Sequence, residues 1–309
     1  MSQSSCTIRN YQPDDFNNYF QLQVETEQFD QYGRYVTPRT LKEALDRPQF
    51  TPERDILLAE LEGKVVGLCN ITSELRIGRV LFNFLVHPKY RRKGIATNLI
   101  QNALIRAKEV EAKVVQAEVP EANLAAKNLL SRLGFKSVRR FFELSLLLQD
   151  DIGPDVEHSL MSRALKRGEE ERLTHIQNRL FAGTWGFNPN TTEEITYRLN
   201  LCGCTPEDVI MLYNGDESIG YCWTTINSDE NLALGTNRGR IHMMGVDPDY
   251  RGKGLGRAVL LAGLIHLMEK GVELAQLTVD SLNNVACSLY KSVGFEISAT
   301  TLWYEKDLV

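Results

Sequence analysis

The chain has 309 residues, about twice a typical ~150-residue domain, so two domains are expected rather than one. Hydrophobic residues make up 43% and charged residues 24%, a mix that excludes a disordered or low-complexity chain. Thirty-five basic against forty acidic residues leave a net charge of −5, so no global positive field draws nucleic acid or an anionic membrane, and any polyanion must be held by a local device.

In chain order, the first twenty residues lack the basic flank and apolar stretch of a secretion signal, and no apolar run approaches the ~20 residues of a membrane helix. A cytoplasmic location without membrane contact is expected. Glu25, Glu27 and Asp30 fall on an early acidic helix. Ile56 to Leu61 and Val65 to Cys69, joined by Glu62-Gly63-Lys64, predict a hairpin. Arg79 to Val86 reads as a strand, Arg91-Arg92-Lys93-Gly94-Ile95-Ala96 as a glycine turn, and 96–109 as a helix of apolar spacing. A buried β-branched strand over 113–119 follows, then a helix opened by Asn123 and closed by Gly134-Phe135, then a last strand over 141–148. Gln149 to Asp155 has the polar, Gly/Pro-containing composition of a linker, which places the domains at 1–151 and 152–309.

The second half repeats this order: a hairpin of 209–213 and 219–225, a strand over 240–246, and a glycine turn. A helix over 256–270, a strand over 274–279, a helix from Asn283 to Gly294-Phe295 and a strand over 300–305 complete it. At a constant offset of 160 residues, Val86 to Ala96 fall on Val246 to Gly256, Asn123 on Asn283, and Gly134-Phe135 on Gly294-Phe295. A period of half the chain means a duplicated domain rather than a solenoid, and each copy is an α/β (α+β) domain with a mixed sheet. The six cysteines match neither a zinc ribbon nor a CxxC redox motif, so reduced thiols and no metal are expected.

In each copy a strand ends at Val-x-Pro, and the chain passes through Arg-x-x-Gly-x-(Gly/Ala) into a helix. Glycines let the backbone turn tightly, and the free N–H groups at the helix start point outward with the positive end of the helix dipole, a device that binds phosphate. The turn is neither a Walker A loop, since no Gly-Lys-Ser/Thr follows, nor a Rossmann loop, since the third glycine is missing.

Arg251-Gly252-Lys253-Gly254-Leu255-Gly256, together with the run from Asn283 to Phe295, resembles two signature motifs of the GNAT N-acetyltransferases, and the resemblance covers nearly the whole chain as two tandem copies. The family implies acyl-CoA N-acyltransferase domains, acetyl-CoA as co-substrate and a small-molecule amine as acceptor, with a monomer or homodimer as the working state. Within the family, the tandem arrangement, Gly220 to Thr224 and Gly245 to Pro248 are similar to the mycothiol synthases, which acetylate an amino group on a cysteinyl sugar conjugate. Arg240 stands where those enzymes carry glutamate. Nothing in the residues excludes an antibiotic, polyamine or peptide amine as acceptor; the alternative of an acyl-CoA-binding regulatory module without catalysis has against it the survival of Tyr290 and His242 in one copy only.

The resemblance assigns the backbone of Arg251, Gly252, Lys253, Gly254, Leu255 and Gly256 to the pyrophosphate, and Met244, Gly245 and Val246 to the pantetheine arm. It gives Asn283 a cofactor contact and makes Tyr290, seven residues on, the proton donor to the departing thiolate. The first copy has Leu130 at that offset, so the second copy is the candidate for catalysis. Strand alternation puts Arg240, His242, Met244 and Val246 on one face. Only His242 titrates near neutral pH, which makes it either the proton acceptor or a hydrogen-bonded strand histidine, with Phe82 at its place in the first copy. Trp223 either lines the acceptor groove or fills the core, and Glu25 is either an amine contact or a solvated helix charge.

Overall fold

The computed structural model describes residues 6–30, 35–148 and 161–308. The expected linker and the boundary near residue 152 lie outside the described residues. Contacts divide the chain into residues 1–139 with 301–309, and residues 140–300.

The first unit opens with β1 (Thr7–Asn10), α1 (Phe16–Asp30), α2 (Pro38–Leu45) and the single turn α3 (Pro52–Asp55). The expected hairpin is β2 (Ile56–Leu61) and β3 (Lys64–Glu74), followed by β4 (Arg79–Val86), α4 (Ile95–Glu109), β5 (Val114–Pro120) and α5 (Leu124–Arg132). On α4, Ile95, Leu99, Ile100, Ala103 and Ala107 recur at helical spacing and are all buried against β2–β4. The opposite face of the sheet is covered by Tyr19, Leu22 and Leu41 of α1 and α2.

The second part of the chain supplies β6 (Lys136–Leu147), β7 (Met161–Ala164), α6 (Glu170–Phe181), α7 (Thr192–Leu199), β8 (Val209–Asn214) and β9 (Glu217–Thr225). It continues through α8 (Ser228–Leu234), β10 (Arg238–Val246), α9 (Leu255–Glu269), β11 (Leu274–Asp280), α10 (Asn284–Val293) and β12 (Glu296–Asp307). One face of this sheet is covered by α9 and α10, the other by α6 and α7. Gly263 lets α9 close on the sheet, since a Cβ there would run into the Cys222 side chain.

The last strand of each repeat is exchanged. In the first unit the order is β1-β2-β3-β4-β5-β12, and in the second β6-β11-β10-β9-β8-β7. β12 lies antiparallel to β5, with Leu302 opposite Val119 and Tyr304 opposite Ala117, and both side chains are buried in the first unit's core. β6, from the first repeat, pairs instead with β11, and its Leu144 is buried beside Leu277 in the second unit's core. The division in space therefore passes through two strands, and no single cut in the chain reproduces it.

The two glycine turns share one backbone shape, but not one sequence. Gly252 and Gly254 both have φ +78, while the first copy places Arg92 at φ +66 ahead of Gly94 at φ +78. Nothing lies within 4 Å of a Cβ built on Gly254, so only backbone strain opposes a side chain there. Gly254→Ala is expected to destabilise the second unit by about 1 kcal/mol, read as a lower urea midpoint.

Candidate active site

The site begins where two parallel strands part. β10 and β11 pair only through Arg238–Leu274, Gly239–Ala275 and Arg240–Gln276, although β10 runs on to Val246 and β11 to Asp280. Beyond that register the edge of β10 toward β11, which includes Met244, Gly245 and Val246, presents backbone groups without a strand partner. On the opposite edge β10 stays paired with β9, Met244 opposite Cys222 and Gly245 opposite Tyr221.

The turn into α9 is held by its own basic and acidic side chains. Asp247 is 2% exposed, accepts from the Asp249 N–H at 3.0 Å and is paired with Arg179 of α6. Hydrogen bonding to Arg179 comes first in holding its carboxyl below the usual range, so it stays ionised through neutral pH. Arg251 donates from Nε to the Val246 carbonyl and from Nη2 to the Leu180 carbonyl, both at 3.0 Å. Its guanidinium thus ties the turn to the strand end and to α6, leaving the backbone as the part of Arg251 that faces a ligand. Lys253 lies over the Tyr250 ring at 5.2 Å. The N–H groups of Leu255 and Gly256, at the start of α9, have no intrahelical acceptor and carry the positive end of the dipole, whereas the next two, of Arg257 and Ala258, donate to the Gly254 carbonyl. Leu289 of α10 sits in ordinary contact distance of Gly256, which sets the second helix beside this anion-binding end.

Asn283 caps α10, its side-chain oxygen accepting from the Ala286 N–H at 3.1 Å. Asn123 caps α5 in the same way at 3.0 Å. Seven residues beyond the cap, Tyr290 is 8% exposed and lies edge-on to Phe295 at 5.9 Å between ring centroids. Burial pushes its phenol well above the ordinary tyrosine pKa, with Cys222 and Cys287 adding to the shift, so it carries its proton at physiological pH. Leu130 at the same offset in the first unit is fully buried.

A β-bulge changes the expected arrangement of β10. Pairing with β9 shifts between Ile241 and Met243, so that Ile241 lies opposite Thr224 and Met243 opposite Trp223. His242 is the inserted residue. Strict alternation fails here: Met244 and Val246 join Ile241 on the α9 face, while Met243 packs on the α6 face and Gly245 lies against Leu180. The correspondence with the first copy changes as well. Arg79 faces Val114 and Phe82 faces Ala117, and in the second copy Arg238 faces Leu274. Counted from those pairs, the counterpart of buried Phe82 is buried Ile241, and His242 has no counterpart in β4, whose register with β3 is unbroken.

His242 is exposed and edge-on to Trp223, with 5.1 Å between ring centroids. Protein packed around the ring, then the positive charges of Arg198 and Arg240, push its pKa down to about 4, moderated by the solvent at its outer edge. Trp223 is fully enclosed in the core between the sheet and α6–α7. Arg240 donates to Glu143 at 2.7 Å and to the Thr278 hydroxyl at 3.0 Å. The carboxylate beside position 240 thus comes from exchanged strand β6, where sequence spacing gave no signal for it. Glu25 lies in the first unit, accepting from Gln21 at 3.0 Å, with one of its oxygens 3.3 Å from His87 Nε2. The Lys89 N–H donates to His87 Nδ1 at 3.2 Å, which leaves Nε2 as the protonated nitrogen facing Glu25.

Two mixed α/β units, each carrying a strand, a glycine turn and a helix N-terminus beside parted parallel strands, define a tandem transferase architecture. The profile of the acetyltransferase (GNAT) family matches residues 16–135 and 161–295, and the chain belongs to that family as an N-acetyltransferase with two copies of its domain. It is 29% identical over 225 residues to a mycothiol acetyltransferase of Propionibacterium freudenreichii, covering 71% of this chain and 68% of that one. It is 30% identical over 258 residues to the mycothiol acetyltransferase of Thermomonospora curvata, covering 81% of each. Among solved structures, a GCN5-related N-acetyltransferase from Sphaerobacter thermophilus superposes with a TM-score of 0.76 at 19% identity, covering 98% of this chain and 95% of that one. A tandem GNAT protein from the clavulanic acid biosynthesis pathway does so at 0.71 and 16%, covering 98% of both. Among the described residues no group of three His, Cys, Asp or Glu side chains gathers as for a metal, and no helix is long and apolar enough to cross a membrane.

Proposed function

We propose that the second unit is the catalytic one and that it transfers the acetyl group of acetyl-CoA to the primary amine of a small molecule, a reading supported by relatives named mycothiol acetyltransferase. The observation that carries this reading is the joint presence in the second unit of the bulge with His242 and of Tyr290 beside the parted strands, where the first unit has an unbroken strand and Leu130. The residues fit the co-substrate. The outward N–H groups from Gly252 to Gly256 suit a pyrophosphate, and the unpaired edge at Met244 to Val246 suits the amides of a pantetheine arm.

The chemistry then follows from the side chains. The amine lone pair attacks the thioester carbonyl, a C–N bond forms, and the C–S bond breaks with its electron pair on sulfur. Tyr290 donates its proton to that sulfur. The proton lost by the amine passes to His242, which its depressed pKa keeps neutral at physiological pH. Arg198 and Arg240 raise the cost of an ammonium near His242, which favours the amine form that attacks.

The pH dependence has a definite sign. A histidine whose pKa is pushed down remains a proton acceptor below 6.5, so the His242-dependent acid limb of kcat/KM is expected clearly below pH 6.5. A limb near pH 6.5 that vanishes in His242→Gln would contradict this assignment. The reading as a whole is tested by thiol release from acetyl-CoA across small amines, aminoglycosides and cysteinyl conjugates, beside an acetyl-CoA titration for stoichiometry. Binding of acetyl-CoA with no release for any amine would leave a regulatory acyl-CoA-binding module in its place.

A further inference from the structure

The slot between β10 and β11 has a closed end, and one side chain spans it. In the first unit the two parallel strands stay paired through Arg79–Val114, Val80–Val115, Leu81–Gln116 and Phe82–Ala117. In the second unit the ladder stops one residue earlier, at Arg240–Gln276, so Ile241 and Leu277 are already parted where Phe82 and Ala117 still pair. Arg240 is thus the last residue of β10 paired with β11, and the bulge at His242 follows it directly.

Where the backbone ladder ends, side-chain bonds take over. Arg240 donates from Nη2 to the hydroxyl of Thr278, two residues past the last pair on β11, at 3.0 Å, and from Nη1 to Glu143 of β6 at 2.7 Å. Thr278 and Glu143 lie opposite each other in the β11–β6 ladder. All three side chains project from the face away from α9, because their neighbours Ile241, Leu277 and Leu144 are buried on the α9 side. A guanidinium is planar and holds its donors in a rigid fork, so two simultaneous bonds fix the distance from β10 to β11 and β6. The first unit has no such tie: Leu81 faces Gln116 as Arg240 faces Gln276, and leucine has no donor.

We propose that Arg240 is a positioning residue that braces the parted strands of the second unit, holding the slot at the width that seats the acyl end of acetyl-CoA. The proposal rests on the reading of that slot as the acetyl-CoA site. Glu143 comes from the last strand of the first repeat, so the strand exchange supplies part of the brace. The brace is formed in the free protein, and a slot already at its working width binds without an ordering cost. Its effect therefore falls on acetyl-CoA affinity rather than on the proton transfers.

The test uses the full chain at about pH 8, where His242 is neutral with or without the charge of Arg240, and reads calorimetric acetyl-CoA binding beside thiol release. Thr278 is exposed, and valine keeps its shape and suits a strand, so Thr278→Val removes one bond of the brace while Arg240 keeps its charge and Tm stays near that of the parent. It is expected to raise Kd and KM for acetyl-CoA roughly two- to ten-fold, the order of one net hydrogen bond, with kcat nearly unchanged. Thr278→Ser keeps the hydroxyl and is expected to restore parent-like values, whereas Arg240→Met loses both bonds and is expected to exceed Thr278→Val. A parent-like Kd in Thr278→Val overturns the brace, and if Arg240→Met alone is weakened, charge is what Arg240 supplies. A loss of Tm with kcat and KM moving together in Thr278→Val overturns it as well, in favour of a role in folding. If the parent binds acetyl-CoA but acetylates no amine, the Kd comparison still decides the brace and only acetyl transfer is refuted; a parent that binds no acetyl-CoA refutes both.

Discussion

Tyr290→Phe is expected to lower kcat by roughly two to four decades while acetyl-CoA binding stays nearly constant, the order found when a positioned general acid is lost. The ring makes its contact with Phe295 through carbon, and phenylalanine keeps that contact and the burial. The variant therefore removes an O–H and little else, and a folding defect is not expected to accompany the loss. Steady-state thiol release with a calorimetric acetyl-CoA titration checks both halves of the expectation. Parent-like turnover would remove Tyr290 from the mechanism. The comparison with the first unit sharpens this: Leu130→Tyr installs a phenol at the same offset, but beside a strand without the bulge and without a histidine in it. It is expected to yield no turnover from a chain already carrying Tyr290→Phe.

The residues that announced themselves in the sequence did so through short-range geometry. The constant offset of 160 residues exposed the duplication, and the hairpins, glycine turns and helix pairs stand close to their predicted bounds because each is set by local periodicity and by Asn or Gly at its ends. What escaped was set by pairing between distant segments. A gapless alignment put His242 opposite Phe82, and only the partners on β5 and β11 show that one residue has been inserted and that Ile241 takes the place of Phe82. Glu143 beside Arg240 escaped for a related reason: its strand belongs by sequence to one repeat and by pairing to the other unit.

The strand exchange makes the second large prediction, since it ties the chain's end to the stability of its beginning. Phe141 to Leu147 and Thr301 to Asp307 are equivalent by the repeat, and each has an apolar alternation that could complete either sheet. In the structure the choice is made in favour of exchange, with Tyr304 buried among Val115, Ala117 and Val119 of the first unit's core. Tyr304→Ala is expected to destabilise that unit by about 3–5 kcal/mol, the cost of truncating a buried aromatic side chain. Leu144→Ala is expected to weaken the second unit by about 2–5 kcal/mol on the same grounds. Amide hydrogen exchange locates the damage: Tyr304→Ala should raise exchange in β4, β5 and α4, and Leu144→Ala in β10, β11 and α9. The reverse pattern, with the C-terminal substitution loosening β10 and β11, would mean that each repeat keeps its own last strand. Because β6 and β12 each follow their own repeat's helix before joining the other sheet, neither unit is complete until the whole chain is present. A fragment ending near residue 152 is thus expected to lack β12, leaving β6 as its one remaining strand with the pattern to cover β5 and Val115, Ala117 and Val119.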